Sequence, residues 1–261
     1  MYPHHTQSIQ NVTDYFQRDP EVLALLLSGS IAHGFQTPAS DVDIMIVVSE
    51  EDHKKRLEAN QVHFFNVDLC TYEGGYVDGK YTSMNFIEQV KEKGSEPARF
   101  AFAGSRALFS RIDGLEETLC QVTQYPGAEK AERIKRFYAQ FEAWHWYCQE
   151  SLRLKNQYLL GTSVSKFILF SGRLILAHNE LLYPYHKWFL RVLESANEKP
   201  DGLLELIHRL NAEQTIENVE ALYNTLKNFH PWSDHPYGWP TQFMFDSELN
   251  WLDGKTPVDD L

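Results

Sequence analysis

The chain predicts an α/β (α+β) domain followed by an α-helical bundle domain, and three observations carry that expectation. An apolar run from Val22 to Leu27 ends at the small residues Ser28, Gly29 and Ser30, as a buried strand feeding a tight turn does. Ile44 to Val48 is almost wholly β-branched or long apolar, which fits a central strand covered on both faces. From Gly127 the texture changes: Ile134, Phe137, Tyr138, Phe141, Trp144 and Cys148 recur at helical spacing, as do Val164, Phe167, Ile168, Leu174 and Ile175. These shifts divide the chain into residues 1–118 and 119–261.

Within the first part, Ile9, Val12, Tyr15 and Phe16 predict a helix over 6–19 that packs on the sheet and stops at Asp19-Pro20. A strand over 22–27, the Gly-Ser turn, a short helix near 31–35 and a strand over 43–48 follow. Residues 49–60 are charged and read as a helix, 62–71 as a strand, and Glu73 to Lys80, rich in glycine, as a surface turn. A helix over 83–93, a short helix after Pro97 and a last strand over 106–110 complete the domain. In the second part, Trp144-His145-Trp146-Tyr147 reads as bundle core with a satisfied histidine in preference to a base-stacking platform. Tyr183-Pro184-Tyr185-His186-Lys187-Trp188 marks a break between helices, and the aromatic tail beyond Pro231, ending in Asp259-Asp260-Leu261, is expected to wrap the bundle or fray.

The chemistry concentrates around the first turn. Asp41 and Asp43 open the second strand two positions apart, so both carboxylates face one side while Val42 and Ile44 face the other. Two anions held that close repel unless a cation lies between them, and magnesium, which takes oxygen ligands and travels with phosphates, is the economical choice. Gly29 lets a phosphate approach without a Cβ in the way. Competing phosphate motifs fail: Gly29 and Gly34 have Walker A spacing, but Phe35 stands where the lysine must be. Ser163-Val164-Ser165-Lys166 lacks the companion motifs of penicillin-binding enzymes.

The series Ser28-Gly29-Ser30, eleven positions from Ser30 to Asp41, then Asp41-Val42-Asp43-Ile44, resembles the signature of the nucleotidyltransferase superfamily with the DNA polymerase β-like fold. The style is closest to the small bacterial antibiotic nucleotidyltransferases of the aminoglycoside and lincosamide type and their uncharacterised relatives. The resemblance implies a mixed sheet and a third acidic residue on a later strand between hydrophobic neighbours. Asn66-Val67-Asp68-Leu69 offers Asp68, against which stands a surface-facing Asp on an edge strand. It further implies that Asp41, Asp43 and Asp68 hold two Mg2+ ions and that Gly29 and Ser30 hold the phosphates of an NTP, taken as ATP. A helical-domain lysine reaches those phosphates in some relatives, which makes Lys187 a candidate, with a solvated helix residue as the alternative. The implied reaction moves a nucleoside monophosphate to a hydroxyl of a small-molecule acceptor and releases pyrophosphate. A protein-AMPylating enzyme or an antitoxin-like regulator acting on a protein partner is the other reading.

Composition narrows the partners. A formal net charge of −12 argues against general affinity for nucleic acid, which needs clustered Lys and Arg. The three cysteines form no Cys-x-x-Cys pair and suit a reducing cytoplasm, where the chain is expected to reside. The first residues lack a basic region followed by an apolar core, and no run is read as approaching the ~18 apolar residues of a membrane span.

Overall fold

The computed structural model describes residues 1–254 and 256–258 and divides into two compact units, Met1–Gln124 and Tyr125–Leu261. The expected break after residue 118 falls inside a helix, Leu115–Val122, whose Leu115, Leu119 and Val122 are buried in the core of the first unit.

The first unit runs α1 (Pro3–Gln17), β1 (Val22–Leu27), α2 (Gly29–Ala32), β2 (Val42–Val48), α3 (Glu50–Ala59), β3 (His63–Asn66), β4 (Val77–Thr82), α4 (Met84–Lys93), α5 (Glu96–Phe100), β5 (Arg106–Ser110) and α6 (Leu115–Val122). The strands form one mixed sheet in the order β3-β4-β2-β1-β5, with β2 and β4 parallel and the other pairs antiparallel. Strand alternation builds two cores. Val42, Ile44, Ile46 and Val48 face Ile9, Val12 and Phe16 of α1. Met45 and Val47 face Ile87 and Val90 of α4 together with Leu115, Leu119 and Val122 of α6. Helix ends follow local chemistry: Ser49 caps α3 by accepting from the Asp52 amide, α3 stops at a left-handed Asn60, and Ser83 caps α4 by accepting from the Phe86 amide.

Two expectations for this unit are corrected. The strand expected over 62–71 is β3, only four residues long, because the Asn66 side-chain oxygen accepts from the Leu69 amide at 2.9 Å and bends the chain into a turn. Asp68 therefore sits in an exposed turn and not in a strand. The supposed surface turn over 73–80 gives way to β4, a strand lying between β2 and β3.

The second unit is helical: α7 (Lys130–Leu154), α8 (Gln157–His178), α9 (Phe189–Glu194), α10 (Leu203–Ala212), α11 (Ile216–Phe229) and α12 (Trp239–Phe243). Phe141 of α7 is fully buried and stacks on Phe167 of α8 at 5.2 Å and on Tyr223 of α11 at 5.3 Å between ring centroids. His145 is buried, stacks on Tyr223 at 3.8 Å and donates from Nε2 to Glu220 at 2.9 Å, so the Trp144–Tyr147 stretch contributes a paired core histidine. Glu142, buried beside them, accepts from Tyr138, from Tyr223 at 3.0 Å and from Lys227 at 2.7 Å. The expectation of no membrane-length apolar run is corrected by α8, which is long and apolar enough to cross a membrane by length and composition; just over half of it is buried inside the protein. The end of the tail, Asp259-Asp260-Leu261, lies outside the described residues.

Phe141→Ala removes the ring that joins three helices and should lower stability by about 3–5 kcal/mol. A urea melt followed by tryptophan fluorescence checks the loss.

Candidate active site

Among the described residues, one group of His, Cys, Asp or Glu side chains is close enough to share a metal ion: Asp41, Asp43 and Asp78, each half-buried and each offering an oxygen within 4.8 Å of the others. Asp41 and Asp43 share a side through their two-residue spacing. Asp78 joins them because β2 and β4 pair in register with Asp43 opposite Asp78, and directly paired residues present side chains on one face. All three oppose the α1 side of the sheet, since Val42, Ile44 and Val77 pack there.

Gly29 closes the site from β1. It lies in the left-handed region at φ +62°, and a Cβ built on it would stand 1.8 Å from the Asp43 carboxylate oxygen, so only glycine lets the turn lie against this side chain. The Ser28 amide donates to the Asp43 carbonyl at 2.9 Å, and the Phe35 amide to the Ser30 carbonyl at 2.8 Å, which ties the turn to β2 and closes it behind α2. The Ser30 hydroxyl is buried with no hydrogen-bond partner among the described residues. Leaving such a group unpaired costs about 1–3 kcal/mol. Ser30→Ala should therefore leave the melting temperature unchanged or raise it in calorimetry.

The segment before Asp41 is held from three directions. The Ser40 carbonyl accepts from Nε2 of His5 at 3.0 Å and from the Tyr72 phenol at 2.5 Å, and the Pro38 carbonyl accepts from Nε2 of His4 at 2.9 Å. His5 is fully buried, and burial together with His4 keeps its imidazole below the ordinary value and neutral. Burial likewise pushes the Tyr72 phenol up, so it remains a donor. The charge of Asp41 beside Tyr76 holds that phenol above its usual range. On the outer flank, Nε2 of His63 donates to Asp78 at 2.8 Å.

The structure thus brings Gly29, Ser30, Asp41 and Asp43 together and leaves Asp68 outside the carboxylate group, in its exposed turn. Lys187 is exposed in the second unit on a short 3-10 helix, His186–Trp188, with Nζ 5.2 Å from the centre of the Trp188 ring. It follows Tyr185, whose φ of +67° is strained for a side-chain-bearing residue. Sequence reasoning missed Asp78, His63, Tyr72 and His5. The signal for Asp78 was an acidic residue set between Val77 and Gly79 and followed by Tyr81 and Thr82, partly β-branched and aromatic despite its glycines.

Residues 10–78 match the family model described as Polymerase beta, Nucleotidyltransferase, a range that holds the Gly-Ser turn and all three clustered aspartates. This stretch is similar to a nucleotidyltransferase domain. A nucleotidyltransferase domain is a transferase module that supports nucleoside-monophosphate transfer in general, and this family generally uses divalent metals. No curated protein matches the chain. Among solved structures the chain is similar to the crystal structure of a nucleotidyltransferase-like protein from Exiguobacterium sibiricum 255-15, with 11% identity, a TM-score of 0.47, and coverage of 95% of this chain and 78% of that one. An oxygen-only donor set of three carboxylates beside the glycine turn suits a hard divalent cation carrying phosphates, so the residues present fit a divalent-metal site.

Proposed function

We propose that the protein transfers a nucleoside monophosphate from an NTP, ATP by preference, to a hydroxyl of a small-molecule acceptor such as an aminoglycoside-like antibiotic, and releases pyrophosphate. The observation that carries this reading is the meeting of Asp41, Asp43 and Asp78 against the Gly29 turn. The acceptor hydroxyl gives up its proton to a carboxylate of this group as its oxygen forms a bond to the α-phosphorus, the bond from that phosphorus to the bridging oxygen breaks, and its electron pair leaves on pyrophosphate. Two Mg2+ ions held by these carboxylates would neutralise charge at the phosphates and lower the pKa of the acceptor hydroxyl.

The chain's own groups have distinct parts. Asp41 and Asp43 are assigned to the triphosphate side, and Asp78, in the place expected of Asp68, joins them on the acceptor side. The amides of Gly29 and Ser30, which begin a helical turn and so lack intrahelical acceptors, are assigned to the β- and γ-phosphates together with the Ser30 hydroxyl. That gives the buried, unpartnered hydroxyl an occupation: Ser30→Ala is expected to weaken NTP binding even as it spares or improves stability. The net charge of −12 favours a neutral or cationic acceptor over a nucleic acid.

Thermal shift with Mg2+ and each NTP, followed by pyrophosphate release across hydroxylated antibiotics, metabolites and purified proteins, tests the proposal. Stabilisation by one NTP amounts to about 2.7 kcal/mol at a hundredfold excess over Kd, and release should need both metal and an acceptor. An unchanged melting temperature with every NTP contradicts it.

A further inference from the structure

We infer that His63 is a positioning residue whose hydrogen bond to Asp78 fixes the third carboxylate for metal binding. This rests on the proposed metal-dependent reading of the site.

β3 is a four-residue edge strand paired with β4 so that Phe65 lies opposite Asp78 and His63 opposite Lys80. Phe64 turns to the α1 side, where its ring meets Phe16 at 4.9 Å, whereas His63 and Phe65 turn to the Asp78 side and stay exposed. The His63 side chain is 63% exposed, so it is not there to fill a core. Its polar contact is the diagonal bond from Nε2 to Asp78 Oδ1 at 2.8 Å. An aspartate side chain has two free torsions. A donor on one oxygen selects one rotamer and leaves the remaining lone pairs for a cation. Partners of this kind commonly govern metal affinity as strongly as they govern ligand orientation.

An exposed histidine–carboxylate pair contributes little to folding, and the two roles separate on that point. The full chain, wild type and as His63→Ala, His63→Gln and Asp43→Asn, is titrated with Mn2+, and free Mn2+ is read by electron paramagnetic resonance with and without the α,β-methylene analogue of ATP. His63→Ala should weaken Mn2+ binding by about tenfold or more. Its melting temperature should move by less than about 4 °C. His63→Gln keeps a side-chain N–H donor and should recover most of the lost affinity. Wild-type Mn2+ affinity in His63→Ala, with affinity lost in Asp43→Asn, overturns the role of His63 and leaves the metal site standing. Absence of Mn2+ binding in the wild type, or equal binding in Asp43→Asn, overturns the metal reading and the role of His63 with it.

Discussion

Asp78→Asn is expected to lower nucleoside-monophosphate transfer by roughly 10²–10³-fold, whereas Asp68→Asn is expected to leave it within about twofold. The contrast follows from the sheet. Asp78 stands opposite Asp43 on a parallel neighbour and shares the 4.8 Å carboxylate group, while Asp68 stands in an exposed turn that the Asn66 side chain closes. Replacing one carboxylate oxygen by an amide nitrogen keeps the volume but removes a charge and a cation ligand, so the loss falls on turnover. Stability should hold within about 1 kcal/mol, because Asp78 is only half-buried and its bond to His63 is exposed. Steady-state pyrophosphate release with saturating Mg2+, beside a urea melt of each variant, measures both. Loss of turnover in Asp68→Asn with normal turnover in Asp78→Asn would reverse the assignment.

Gly29→Ala is the second large effect, and it should strike folding and turnover together. Alanine at φ +62° costs about 1–2 kcal/mol of backbone strain by itself. Its methyl group would then lie 1.8 Å from the Asp43 carboxylate oxygen and 2.5 Å from the Asp43 Cβ, contacts that only a shift of the turn or of β2 can relieve. A displacement of about 1 Å in a positioning group costs on the order of 10²-fold in rate. Gly29→Ala should therefore lose more than about 2 kcal/mol of stability and fall at least about 10²-fold in turnover. Calorimetry and pyrophosphate release test the two parts. A variant with unchanged melting temperature and rate would show that the turn does not lie against Asp43.

Much of this site was legible in the chain because its signals are local. β1 and β5 fall on the residues that their apolar runs mark, the helices read from residues 49 and 83 begin there, and the two-residue spacing of Asp41 and Asp43 fixes their common side. The third carboxylate was not legible because it depends on pairing across 35 positions. A charged helix after β2 implies a returning strand parallel to it. The apolar Val62–Leu69 stretch offers itself for that place, yet the strand that pairs with β2 is β4, and β3 folds back outside it. Gly79 helped to hide β4. It stands opposite Ile44, and a Cβ there would come within 2.8 Å of the Ile44 side chain, so glycine in this strand serves packing, although in sequence it reads as a turn. The hydrogen bonds of His5 and Tyr72 to the Ser40 carbonyl span more than thirty positions each and carry no local pattern.

The measurement that bears most directly on the account is the anomalous scattering of crystals of the full chain grown with Mn2+ and the α,β-methylene analogue of ATP. Manganese peaks ligated by Asp41, Asp43 and Asp78, with the triphosphate on the Gly29–Ser30 turn, are the predicted result. Manganese bound at Asp68, or a triphosphate seated away from that turn, would contradict it.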